Sequence, residues 1–134
     1  MLSRPLVLCV EPTDDIRAML RQLLRVNGLE SDSASTIKET VEKAEGGDFC
    51  LHIVDDSYRD GTNIELIRRL REVTPHVPVL VFSTLSFEAS RRAAAEAGAG
   101  EYMVKPQDIE RLVSAAVGIC GAGSQKNAEA SFGA

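Results

Sequence analysis

Four polar residues follow four apolar runs in this chain: Glu11 after LVLCV, Asp55 after LHIV, Ser83 after VLVF and Lys105 after YMV. Two carboxylates, a hydroxyl and an ammonium are the groups that a small phosphate site with a divalent cation needs. Carboxylates offer hard oxygen ligands to a cation. A compact ammonium offers a point charge to a phosphoryl oxygen. If the runs are parallel strands, all four side chains meet at one edge of one sheet, outside the strand carboxyl ends, where open α/β sheets bind ligands. Taken singly, each residue reads equally well as the first polar residue of a loop.

The intervening sequence alternates strand and helix five times. The first strand spans about residues 5–10. The helix after it carries Ile16, Met19, Leu20, Leu23 and Leu24 at i, i+3, i+4, i+7 and i+8, an amphipathic pattern. Asn27-Gly28 ends that helix in the manner of a left-handed cap. A short, polar strand near 29–33 reads as a sheet edge. Thr36 and Glu39 form a capping box for the second helix, which stops at Gly46-Gly47. The third strand covers 49–54. Thr62 and Glu65 form another capping box, with Ile64, Ile67 and Leu70 facing inward. Pro75 and Pro78 bracket the turn into the fourth strand, 79–82. Ser86 is placed to cap the fourth helix and Gly98 to close it. The fifth strand spans 101–104, and the last helix carries Ile109, Leu112, Val113, Ala116 and Val117 on one face. Strands separated by helices of this length imply βαβ units and a doubly wound α/β sheet of five parallel strands.

Composition narrows the class. The chain has 134 residues, 44% hydrophobic and 26% charged, as in one ordinary globular domain. A net charge of -5 opposes direct nucleic-acid binding, which needs a basic face. No apolar run reaches the roughly 20 residues of a membrane span, and the N-terminus has no signal pattern. Cys9, Cys50 and Cys120 are an odd number without CxxC spacing. With Cys9 and Cys50 inside strands, buried reduced thiols and a cytoplasmic location are expected. Residues 1–120 read as one domain, and 121–134, small and polar, as a flexible tail or linker.

With these residues in place, the chain resembles the receiver domains of two-component response regulators over about residues 5–120. The resemblance implies a flavodoxin-like fold with strand order 2-1-3-4-5. It implies a module that receives a phosphoryl group and has no substrate turnover of its own, so not an enzyme. Asp55 falls on the family's phosphoacceptor position. Pairing Asp60-Gly61 with the family's own Asp-Gly would put Ile53 there instead. The ungapped alignment of Ile64-Glu65-Leu66 rejects that register. Ser83 matches the hydroxyl that bonds a phosphoryl oxygen, and Lys105-Pro106 matches the family's Lys-Pro, whose peptide bond is typically cis. Tyr102 matches the aromatic switch position that works with Ser83. The metal set implied for Mg²⁺ is Glu11, Asp55 and the backbone carbonyl of Ser57.

Two departures stand out. The family reads two acids after strand one, whereas this chain reads Glu11-Pro12, and the proline side chain offers no oxygen. Either Glu11 reaches in as a longer substitute or Mg²⁺ binding is weakened. Asp14 and Asp15 lie nearby but read as first-turn helix charges. Thr84 stands where the family has Ala or Gly and would narrow access. The implied partners are a sensor histidine kinase or phosphotransfer protein, and a second copy through the face of the fourth helix, fifth strand and fifth helix. The alternative is a degenerate receiver that acts as a phosphorylation-independent interaction module, and Pro12 supports it. Arg68, Arg69, Arg71, Arg91 and Arg92 read as solvated helix faces, and His52 as a core histidine with its ring nitrogens satisfied.

Overall fold

The computed structural model describes residues 5–121. Its main sheet is built from β1 (Leu6–Val10), β2 (Glu30–Ala34), β3 (Leu51–Val54), β6 (Val79–Ser83) and β7 (Glu101–Val104). All pairings are parallel and the order is β2-β1-β3-β6-β7. With the short hairpin β4 (Ser57–Tyr58) and β5 (Gly61–Thr62) set aside, this is the 2-1-3-4-5 order expected. The central strands are apolar because helices cover both faces. On one side α2 (Ile37–Gly46), α3 (Asn63–Val73) and α4 (Glu88–Ala97) bury Leu8, Val10, Val54, Val79 and Val81. On the other, α1 (Asp14–Val26) and α5 (Ile109–Ala116) bury Val7, Cys9, Ile53, Leu80 and Phe82. Adjacent strand residues point to opposite faces, so one run of four or five apolar residues feeds both cores. Among the described residues no helix is long and apolar enough to cross a membrane.

Local signals act largely as the sequence suggests. Gly28 has φ 87° just past α1, and Gly98 has φ 119° at the end of α4. A Cβ on Gly98 would also meet the Arg71 side chain at 2.7 Å, so glycine is required there twice over. Thr62 and Glu65 form the full capping box of α3.

Several expectations are corrected. Thr36 accepts from the Glu39 amide, but Glu39 turns to the Ser35 amide at 2.9 Å, so the box is not reciprocal. The first amides of α2 are taken instead by Asp60, which accepts from Ile37 and Lys38. Those backbone bonds, Ile37's first, hold the Asp60 carboxyl below its usual range. Ser86 does not cap α4. The cap position is Phe87, without a side-chain bond, because Leu85 is held on both sides and keeps the loop extended: its amide donates to Ser83 Oγ and its carbonyl accepts from Tyr102. Met19 is 42% exposed rather than core. Arg91 is not a free solvated charge, since its guanidinium lies over the Tyr102 ring, 5.2 Å from the centroid, and donates to the Tyr102 carbonyl. His52 is satisfied at only one ring nitrogen, because Nδ1 is buried without a partner.

The cysteine expectation also changes. Cys50 and Cys120 form a disulfide, with Cα atoms 5.4 Å apart. After α5 the chain makes one wide π turn, Val117–Gly121, which brings Cys120 under the sheet beside the entry to β3. Only Cys9 is a free, buried thiol, and burial, with the charge of Glu11, pushes it up to about 12. The tail expected from 121 onward lies, apart from Gly121, outside the described residues.

Candidate functional site

A parallel sheet puts every strand's carboxyl end on one edge, and three of the four polar residues meet there. Lys105 follows β7 and crosses back over β6. Its Nζ donates to Glu11 Oε1 and to Asp55 Oδ1, each at 2.8 Å. The Lys105 and Glu11 side chains are nearly buried, and Asp55 is slightly more open. Burial alone would lower the Lys105 ammonium, but its bonds to Asp55 and Glu11 outweigh that and the net direction is up. Lys105 therefore stays charged and offsets two carboxylates. The Lys105–Pro106 peptide is cis, and the Lys105 amide donates to the Ser83 carbonyl.

Ser83 is fully buried at the end of β6, but its hydroxyl is not bonded to Asp55. It accepts from the Leu85 amide at 2.9 Å and lies 3.2 Å from the Tyr102 hydroxyl. Tyr102 is buried with its ring turned inward, and its hydroxyl donates to the Leu85 carbonyl at 2.8 Å. Ser83, Leu85 and Tyr102 thus form one hydrogen-bonded unit linking the pocket to β7 and the start of α4.

Three contributions are not evident in the sequence. Tyr58, in the β4–β5 hairpin, accepts from the Asp55 amide and donates to the Val10 carbonyl, pinning the loop after β3 to the end of β1. Burial pushes its phenol up, so it stays protonated. The hairpin had a signal in Asp60-Gly61, a turn pair between Tyr58 and Thr62. Asp56 accepts from the Thr84 hydroxyl at 3.0 Å, while its Oδ1 is buried without a partner. Burial first, then the charge of Asp55, raises the Asp56 carboxyl. Arg17 donates to the Glu11 carbonyl at 2.7 Å and pairs with Asp14.

The oxygen donors at this edge suit a hard divalent cation by type. Glu11 and Asp55 present carboxylates joined through Lys105, and a buried, unpartnered Asp56 oxygen lies in the next residue. Pro12 is exposed and adds no donor. Asp14 and Asp15 sit in the first turn of α1. Among the described residues no group of three or more His, Cys, Asp or Glu side chains is arranged to hold a metal. The carboxylates brought together are those of Glu11 and Asp55, and Glu11 is shared with Lys105 and the Thr13 amide.

Residues 7–117 match the family described as response regulator receiver domain. The KDP operon transcriptional regulatory protein KdpE of Escherichia coli (strain K12) is 39% identical over 106 residues, covering 79% of this chain and 47% of that protein. The chain spans about half the length, or less, of the curated relatives it matches. A two-component response regulator from Clostridium difficile superposes with TM-score 0.81 at 22% identity, covering 87% of this chain and 95% of that one. A response regulator from Burkholderia pseudomallei, solved with a phosphorylated aspartic acid, calcium ion and citrate, superposes with TM-score 0.77 at 21% identity over 96% and 74% of the two chains.

Proposed function

This chain belongs to the response regulator receiver domain family, and on that premise we propose that Asp55 accepts a phosphoryl group from a sensor histidine kinase or a phosphotransfer protein. Receiver domains are signalling domains that interact with histidine kinases, so the chain acts as a switch without turnover of a substrate. The observation that carries the reading is Lys105, whose charged Nζ holds Asp55 and Glu11 together at 2.8 Å each. A carboxylate oxygen of Asp55 attacks the phosphorus of the donor's phosphohistidine. The new P–O bond forms as the P–N bond breaks, and the departing imidazole keeps the electron pair and takes a proton from solvent. Lys105 then faces a phosphoryl oxygen in place of the free carboxylate. Ser83 turns its hydroxyl from the Leu85 amide to a second phosphoryl oxygen. That movement loosens the unit with Leu85 and Tyr102 and shifts the face made by α4, β7 and α5, a population shift between two states. The same face is the surface for a second copy of the chain.

Receiver domains generally bind Mg²⁺ at their acidic pocket, and here Glu11, Asp55 and the Ser57 carbonyl would hold it. The ion supplies positive charge that offsets the anionic phosphoryl oxygens. Because Pro12 offers no ligand, binding is weaker than with a second acid. Pro12→Asp is expected to tighten Mg²⁺ roughly ten-fold, if about 1.4 kcal/mol is regained. Titrating both proteins with Mg²⁺ checks this, and equal affinities would show that another oxygen already fills the position.

The net charge of -5 disfavours direct contact with nucleic acid. Acetyl phosphate with Mg²⁺ should add one phosphoryl group by intact mass, and Asp55→Asn should abolish the addition. Pro12 and the Asp56–Thr84 bond across the site favour a second reading, an interaction module that works unphosphorylated. An unmodified wild type under conditions that label an ordinary receiver would favour that second reading.

A further inference from the structure

One face of α1 carries charges that the Asp55 pocket does not use. Arg17, Arg21 and Arg25 lie at i, i+4 and i+8, so they line one stripe of the helix. That stripe overhangs the edge strand β2, and there the sheet leaves room. Ser31 pairs with Val7 and Ser33 with Cys9 in the β1–β2 register. Parallel partners share a face, so both hydroxyls stand on the side that α1 covers, beside the apolar core containing Val7 and Cys9. Bulky apolar side chains at 31 and 33 would close this space, whereas serine leaves it open. The result is a cleft of about 410 Å³ between the arginine stripe and Ser33. It continues into a deeper space of about 160 Å³ that reaches Cys9 and Ser31. Arg17, Arg21 and Ser33 border both parts.

The charges around the cleft do not cancel within it. Asp14 is paired with Arg17, and Asp32 with Lys43 at 3.0 Å. Arg25 has contacts of its own. Arg21 is exposed and has no partner among the described residues. The Cys9 thiol at the floor is pushed up to about 12 and adds no negative charge. A planar fork of donors facing hydroxyls, in a chain of net charge -5, matches the oxygens of a phosphate. Arg17 also donates to the Glu11 carbonyl, so the cleft borders the acidic pocket through one side chain.

We propose that the cleft between α1 and β2 binds a small phosphate-bearing anion, held by the guanidiniums of Arg21 and Arg17 and by the Ser33 hydroxyl. This site is separate from Asp55 and does not depend on whether Asp55 is phosphorylated.

Titration calorimetry of the full chain with pyrophosphate tests it. One equivalent should bind, and affinity should fall as salt rises. Arg21→Gln should weaken binding at least about ten-fold, the scale of a lost charge-assisted contact. Ser33→Val, which fills the cleft without changing charge, should also weaken it. Asp55→Asn should bind as the wild type does. The proposal is overturned by a wild type that takes up no pyrophosphate, by Arg21→Gln and Ser33→Val proteins that bind as tightly as wild type, or by clearly tighter binding in Asp55→Asn, where the lost carboxylate frees Lys105, which would place the anion in the acidic pocket.

Discussion

Opening the Cys50–Cys120 disulfide should cost this domain about 4 kcal/mol of unfolding free energy, on the loop-closure account of cross-links. The bond joins residues 70 apart in sequence, so reduction returns a long loop's freedom to the unfolded chain. Its place in the fold adds to the effect. Cys120 is buried in the core under α1 and α5, and Cys50 lies at the entry to β3, the strand that delivers Asp55. A domain of this size has a total stability of only about 5 to 15 kcal/mol, so the loss would be a large share of it. Urea unfolding with and without reductant measures the difference in one sequence. The oxidised protein should be lighter by two hydrogens in intact mass. Cys50→Ala should remove the response to reductant, since Cys9 is the sole cysteine outside the bond. Equal midpoints for oxidised and reduced wild type would mean that packing around α5, not the cross-link, fixes the end of the domain.

The sheet was legible in the sequence because the two hydrophobic periods differ so clearly along it. LVLCV and VLVF are apolar at every position, as strands covered on both faces must be, while α1 and α3 repeat at three and four residues. Once the sheet is parallel, convergence of Glu11, Asp55 and Lys105 follows from chain direction alone. What remained hidden depends on tertiary approach. The disulfide has no local spacing signal, and it requires the π turn after α5 to carry Cys120 back under the sheet. The bond from Thr84 to Asp56 spans two loops, and the stacking of Arg91 on Tyr102 spans a helix and a strand. Nothing in the periodicity of α4 separates Arg91 from Arg92, although only Arg91 lies over the ring. Ser83 shows the same limit. Its position at a strand end is legible, but its bonding to Leu85 and Tyr102 rather than to Asp55 depends on the conformation of the loop after β6.

His52 should make this domain sensitive to mild acid. It is fully buried in β3, with Nε2 3.1 Å from Thr74 Oγ1. The Thr74 hydroxyl proton is already committed to the Leu70 carbonyl at 2.8 Å, so Nε2 must be the donor and Nδ1 the bare lone pair. Nδ1 has no partner, and a proton added there would bring a charge into an apolar layer with no acceptor. Burial, with the nearby charge of His76 as the lesser cause, lowers His52 from 6.5 to about 4. Between those values the unfolded chain binds the extra proton and the folded one does not. Stability is therefore fully present above about pH 6.5 and declines as pH falls toward about 4. By about pH 5 the loss should be roughly 2 kcal/mol, since holding one proton fewer costs about 1.4 kcal/mol for every unit that the pH falls. Denaturant unfolding at a series of pH values from about 7 to about 5 reads this directly. His52→Met keeps the volume, leaves the Thr74–Leu70 bond in place and should flatten the curve over that window. His76→Gln removes only the lesser cause and should keep most of the slope. If the wild type is already flat while His52→Met behaves identically, the folded state takes up the proton at Nδ1 without penalty, and some acceptor must reach that nitrogen.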